Sequence, residues 1–389
     1  MLPYGRQQIE EDDIEAVAEV LRGDFLTTGP AVETFEKALC AATGAKHAIA
    51  CSNGTAALHL AGMALGLKED DAVIVPSLTF LATANAVRYC NAEVVFADVD
   101  PETGLMSADH LEDALKRYNG LRPRAVYPVH LTGQCVDLPA IKKVADRHGL
   151  KIVTDSAHAL GASCHGEKAG NCTLEDMSCF SFHPVKAITM GEGGAVTTND
   201  PACAAAMRTF RSHGMVKDET NGPWFYEMQE PGYNYRATDM QCALGTSQLK
   251  KLDRFMARRR TLAARYNAQL PATITPVRNS YSIHAWHLYA ARIDFAGVGT
   301  TRTAIMNALR EHGIGTQVHY IPVHTQPYYR KRYGALSLPG AEHYYENTLS
   351  LPLFPGMKDE DADFVAHTLN DILKGTDHAA HRTENRKVR

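Results

Sequence analysis

The chain has 389 residues, more than one hydrophobic core usually organises, so two domains are expected. Its 45% hydrophobic and 22% charged residues are those of an ordinary globular protein, and a net charge of −4 gives no global field for nucleic acid or an anionic membrane surface. The first residues turn acidic at once and no apolar run reaches spanning length, so neither a signal peptide nor a membrane segment is predicted, and a cytoplasmic location is expected. Nine cysteines without a CxxC pair read as free thiols, and 18 histidines without an HExxH-type spacing give no reason to expect a metal.

Ile14, Val17, Ala18 and Leu21 share one helical face, closed by Gly23. Short apolar runs at 48–51, 72–76, 94–98, 125–129, 151–155, 178–183 and 194–198 then alternate with helical patterns, as at Leu111, Ala114, Leu115 and Tyr118. That alternation predicts an α/β domain with a mostly parallel sheet. From Asp239 to about Leu270 one long arginine-rich helix, straight or bent, is expected, followed by a polar boundary at 271–282. A smaller α/β unit is predicted beyond it, with strands near 286–293 and 317–321 and helices near 302–312 and 359–373. The expected division is a large domain over 1–250, a small one over 251–376 and a disordered tail over 377–389.

Three segments carry chemistry. Cys51-Ser-Asn-Gly-Thr-Ala-Ala57 leaves a strand and opens a helix, and the free amides of a helix start suit a phosphate. Asp155 stands at the carboxyl end of an apolar strand, where open sheets bind ligands and where an acid favours a protonated pyridine nitrogen. Lys186, in Ser181-Phe-His-Pro-Val-Lys186, sits in a turn after another strand, where desolvation would free its amine for covalent attachment to a carbonyl. Alone, each has an ordinary alternative: a capped turn, a helix cap, an exposed lysine. Together and in this order they are what pyridoxal phosphate (PLP) asks of a protein.

The sequence resembles the fold-type I PLP enzymes and, within them, the sugar aminotransferases of the DegT/DnrJ/EryC1/StrS family. The matching elements are Ser52-Asn-Gly-Thr55, Thr154-Asp-Ser-Ala-His158, Ser181-Phe-His-Pro-Val-Lys186, Gly191-Glu-Gly-Gly194 and Gly232-Tyr-Asn-Tyr-Arg236. The resemblance runs from the first residues to about Leu373 and departs at Thr154, where many relatives have an acid. Narrower elements, among them Pro3-Tyr-Gly-Arg-Gln7, Phe25-Leu-Thr-Thr-Gly29 and Val318-His-Tyr-Ile-Pro-Val-His324, are similar to the branch of pseudaminic acid biosynthesis. That branch moves an amino group from L-glutamate, leaving 2-oxoglutarate, to C4 of a UDP-linked 2-acetamido-2,6-dideoxy-hexos-4-ulose. A related branch aminates a UDP-4-keto-pentose, and relatives that instead dehydrate the sugar have histidine at the position of Lys186. A non-enzymatic regulator on the same fold is the remaining alternative, which the complete set of lysine, acid and phosphate loop disfavours.

The resemblance implies that Lys186 binds PLP and moves the proton, with pyridoxamine phosphate as the amino-carrying form, and that Asp155 pairs with the ring nitrogen. It implies further cofactor contacts from Gly54, Thr55, Ala56 and Ser181, and from Phe80 stacked on the ring. Core packing is the alternative for Phe80. His158 would lie near the ring, and Asn234 would reach the phosphate of the neighbouring subunit in a homodimer. Sugar-nucleotide contacts are expected from Tyr4, Thr28, His183, His319, Tyr320 and His324, with Arg236 or Arg330 on the diphosphate.

Overall fold

The computed structural model describes residues 1–121 and 123–387, and their side chains apart from Glu219 and 376–387. Seven strands form the main sheet: β1 (His47–Cys51), β2 (Ala72–Pro76), β3 (Glu93–Ala97), β4 (Pro123–Val126), β5 (Lys151–Asp155), β6 (Met177–Ser181) and β7 (Gly194–Thr198). Their spatial order is β1-β7-β6-β5-β4-β2-β3, and only β7 runs against the others. Ala72–Pro76 and Gly194–Thr198 are buried at every position. Helices cover both faces of such a sheet, which is why its strands read as continuous apolar runs rather than alternating ones.

Helices α1 (Glu11–Arg22) and α2 (Pro30–Thr43) precede the sheet. Within it lie α3 (Gly54–Ala64), α4 (Leu81–Tyr89), α5 (Ala108–Arg117) and α6 (Leu138–His148), and α7 (Pro201–Arg211) follows β7. The long helix expected from Asp239 is two, α8 (Asp239–Leu249) and α9 (Leu252–Gln269), separated at Lys250 and Lys251. Lys251 turns inward there: its ammonium meets Asp12 at 2.6 Å and Asp13 at 2.7 Å. This polar contact, with Gln248 Nε2 donating to Asp13 Oδ2 at 2.7 Å, docks α1 on α8. Of the apolar stripe of α1, Ile14 is 54% and Leu21 58% exposed and Val17 and Ala18 are half-buried, while Asp13 is buried.

A second apolar core gathers Leu262, Tyr266, Tyr289, Ile305, Leu349 and Leu369 from the last third of the chain. Strands Tyr289–Arg292 and Thr348–Leu351 pair antiparallel in it, flanked by α10 (Arg302–Glu311) and the last helix. Val323, Tyr329, Leu338 and Tyr344, by contrast, pack into the core under the main sheet. The final helix spans Asp359–Lys387; the side chains of the expected tail lie outside the described residues. Among the described residues no helix is long and apolar enough to cross a membrane.

Candidate active site

Strands β1, β5 and β6 end on one edge of the sheet, and each delivers part of a cavity of about 940 Å³. Both β1 and β6 pair antiparallel with β7, so Gly194 is the register partner of Cys51 on one side and of Ser181 on the other. The turns leaving β1 and β6 therefore meet across a residue with no side chain. A Cβ at Gly194 would lie 2.3 Å from the Asn53 carbonyl oxygen.

Asn53 caps α3, its side-chain oxygen accepting the Ala56 amide at 2.8 Å. Such a cap stabilises a helix start by about 1 kcal/mol. The first amides of a helix have no acceptor inside it, and Gly54, Thr55 and Ala56 line the cavity with Ser181 opposite. The approach is close: a Cβ on Gly54 would sit 2.8 Å from Ser181 Cβ. Gly54→Ala is expected to push these walls apart and weaken PLP binding on the order of tenfold or more, while the melting temperature falls by only a few degrees. Equilibrium PLP titration beside a thermal melt checks this.

Asp155 is the last residue of β5 and is 6% exposed. Burial raises its carboxyl above the usual range, opposed by hydrogen bonds from Thr83 and the Ala157 amide and by the charge of Lys186. Thr83 Oγ1 donates to Oδ2 at 2.7 Å and the Ala157 N–H to Oδ1 at 3.1 Å.

Lys186 ends a tight turn after β6, its amide donating to the His183 carbonyl at 2.8 Å. Desolvation on the cavity wall lowers its amine to about 8, with Asp155 opposing. At neutral pH about a tenth of the molecules then carry the free amine, against well under a thousandth for an ordinary lysine. The sign is fixed by the chemistry: only the unprotonated amine attacks a carbonyl. The rate at which protein stripped of cofactor recaptures PLP is expected to climb with pH and level off above about 8, rather than climb on toward 10.5. Stopped-flow absorbance across pH 6–10 measures it.

His158 follows Asp155 by one turn. The Thr132 amide donates to its Nδ1 at 3.3 Å, so the ring proton sits on Nε2, 3.2 Å from the Tyr320 hydroxyl. Burial, then the charge of Lys186, holds the imidazole well below its usual pKa, and it is neutral. His287 packs against it with the rings tilted by 39° and their centroids 4.3 Å apart. Phe80 lines the cavity and is 54% exposed, so it is not a core residue, and its ring lies 5.7 Å from Tyr320.

Tyr4, His183, His319 and Tyr320 also line the cavity. The strand expected over 317–321 is absent. Gln317 makes one bridge to Ser350, and the segment then runs irregularly through a cis His319–Tyr320 bond. His319 is tied down through Nδ1 to Ser350 Oγ at 2.8 Å and faces Tyr4 at 5.5 Å between rings. His324 is buried behind this wall, between Ser77 Oγ at 2.5 Å and Glu342 Oε1 at 3.3 Å. Thr28 is exposed in a turn with φ 57°, and neither it nor Asn234 nor Arg236 lines the cavity. Arg330 is exposed and outside it too.

Several residues here were not singled out from sequence: Thr83, Gln317, Gln326, Tyr89 and Tyr235. Thr83 left a faint signal, a hydroxyl in the first turn of the helix after Ser77-Leu-Thr-Phe80. Tyr235 stands inside the Gly232-Tyr-Asn-Tyr-Arg236 element and Gln326 opens Gln326-Pro-Tyr-Tyr-Arg330, each without a role of its own, and nothing local marks Gln317 or Tyr89. Among the described residues no group of His, Cys, Asp or Glu side chains is set out to hold a metal ion.

The chemistry of these donors fits PLP: a desolvated amine, a buried acid, and a helix start facing a hydroxyl across a gap too narrow for a Cβ. Residues 7–370 match the model of the DegT/DnrJ/EryC1/StrS aminotransferase family. The chain belongs to that family. This DegT-family chain is 42% identical over 387 residues to a spore coat polysaccharide biosynthesis protein of Bacillus subtilis, covering 97% of the chain and 98% of the relative. A solved Helicobacter pylori aminotransferase involved in pseudoaminic acid biosynthesis is 32% identical, with a TM-score of 0.89 over 96% of this chain and 99% of that one. A Streptococcus pneumoniae protein described as a sugar aminotransferase, in its PMP form, is 28% identical with a TM-score of 0.90, over 97% of this chain and 100% of that one. As a DegT-family member the chain is a PLP-dependent sugar aminotransferase.

Proposed function

We propose that this enzyme transfers the amino group of L-glutamate to C4 of a UDP-linked 4-keto-6-deoxy-N-acetylhexosamine of the pseudaminic acid type, in the cytoplasm. The observation that carries the site reading is that Lys186 and Asp155 open onto one cavity whose far wall is the start of α3 facing Ser181. When bound, PLP supplies a carbon that takes up the amino group and a ring that spreads the negative charge left on proton removal. Asp155 holds the ring nitrogen's proton through its carboxylate. The amides of Gly54, Thr55 and Ala56 and the Ser181 hydroxyl hold the phosphate. Phe80 covers one ring face, and neutral His158 bonds near the ring edge. Lys186 binds the cofactor at rest. Once displaced, its amine takes the proton from the amino-acid α-carbon, and in the second half-reaction it returns one toward the sugar C4.

Tyr4, His183, His319 and Tyr320 are the proposed sugar-nucleotide contacts, with His324 bracing the wall behind them. Thr28, Asn234 and Arg236 are assigned to the site of the neighbouring subunit in a homodimer. The exposed hairpin of Met215–Lys217 and Tyr226–Met228 supports a second copy, since Trp224 at its turn is 74% exposed and Met228 65%. The sugar itself rests on the Helicobacter pylori likeness. The Bacillus subtilis relative, more similar in sequence, favours a second reading: another nucleotide-linked 4-keto sugar in polysaccharide synthesis.

Single-turnover amination tests the substrate. The pyridoxamine phosphate form is mixed with a panel of keto-sugar nucleotides, and return of the cofactor's visible absorbance is followed. Fast return with the UDP-4-keto-6-deoxy-N-acetylhexosamine and not with a UDP-4-keto-pentose is the expected result. The opposite preference moves the enzyme to the UDP-4-keto-pentose branch, and no return with either refutes the substrate assigned here and leaves only another nucleotide-linked 4-keto sugar of the panel.

A further inference from the structure

We infer that Thr83, backed by Thr79, is a positioning residue that aims the Asp155 carboxylate into the cavity and keeps its charge there. The inference rests on the reading of Asp155 as the partner of the cofactor's ring nitrogen.

Proton counting gives the pair its direction. Thr83 Oγ1 lies 2.7 Å from Asp155 Oδ2 and 2.7 Å from Thr79 Oγ1. An ionised carboxylate only accepts, so the single hydroxyl proton of Thr83 goes to Asp155. Thr83 must then accept from Thr79, and the chain runs one way: Thr79 to Thr83 to Asp155. Both threonines are shut away from water, at 1% and 0% exposure, so no solvent competes for these bonds. The Ala157 amide takes Oδ1 from the other side. With one donor on each oxygen, the carboxylate cannot rotate, and its remaining lone pairs meet the cavity it lines.

The elements explain how the donor arrives. Phe80 precedes α4 in an extended conformation, and Thr83 is the third residue of that helix. The same turn thus presents Phe80 to the cavity and Thr83 to Asp155, which lies 72 residues later in the chain. A donor removed from a buried carboxylate makes that carboxylate more basic, and the shared proton moves from the ring toward the acid. With PLP bound, the weakened hold of Asp155 on the ring nitrogen's proton would raise the pH at which Lys186 gives up its own.

The experiment uses full-length enzyme and compares Thr83→Val, Thr83→Ser, Thr79→Val and Asp155→Asn. Two quantities are read: the PLP dissociation constant, and the pH midpoint of the bound cofactor's visible absorption. Thr83→Val keeps the shape and deletes the donor, so about tenfold weaker PLP binding and an upward-shifted midpoint are expected, at the lower end for a hydrogen bond to a charged group. Thr83→Ser restores both toward the parent values, and Thr79→Val moves them the same way as Thr83→Val but less. A packing role predicts the reverse ranking, with serine the damaging change, and that ranking overturns the inference. Parent-like Thr83→Val beside a strongly weakened Asp155→Asn also overturns it while leaving the Asp155 reading intact. A parent-like Asp155→Asn removes the reading and the inference together.

Discussion

Lys186→Ala is expected to lower amino transfer by at least about a thousandfold, because one change removes both the covalent anchor and the proton carrier. Two of the three other cavity-lining histidines, His158 and His319, are buried, neutral and already committed to Thr132, Tyr320 and Ser350. The third, His183, is an imidazole and cannot replace the amine as covalent anchor. The variant should still bind PLP through the helix start and Asp155, but without an adduct that borohydride reduces. A steady-state assay with L-glutamate, beside absorbance after borohydride treatment, measures both. Retained turnover with Lys186 gone would mean that another amine carries the chemistry.

Asp155→Asn should cost on the order of a hundredfold in turnover while leaving the fold intact. Burial makes the carboxylate costly: desolvation lifts its pKa, and Thr83, the Ala157 amide and Lys186 oppose that. A cationic ring nitrogen completes the set. An amide of the same shape keeps the Thr83 contact geometry but cannot hold a positive charge, so the loss should fall on turnover more than on the apparent affinity for the sugar. Measured kcat and KM for both half-reactions separate these, and an unchanged kcat would detach Asp155 from the reaction.

What the sequence made legible is what is local in it. Strands 72–76, 151–155 and 194–198 are found where their apolar runs stand, since each is buried on both faces and needs no alternation to be recognised. Lys186, Asp155 and the turn at Gly54 were readable together, as three segments at or just past strand ends in the order PLP asks for, and the sheet brings them to one cavity by ending β1, β5 and β6 on one side. Contacts set by distant partners were not readable. Thr83 matters through a residue 72 positions away. The break between α8 and α9 comes from Lys251 reaching back to Asp12 and Asp13, which the helical pattern around it does not announce. The same cluster buries Asp13 on α1 while Ile14 and Leu21 of its apolar stripe stay exposed, against the usual sense of a helical face. The segment 317–321 has the β-branched and aromatic residues of a strand, yet its hydrogen bonds go to Ser350 and to the cavity wall instead of a ladder.

The most direct test of the site is where the cofactor attaches. Holoenzyme as purified is reduced with borohydride, digested and examined by mass spectrometry for the phosphopyridoxyl group. The expected result is one modified peptide, carrying the group on Lys186, lost in Lys186→Ala. A group found on any other lysine, or no modified peptide from a yellow holoenzyme, would contradict the account.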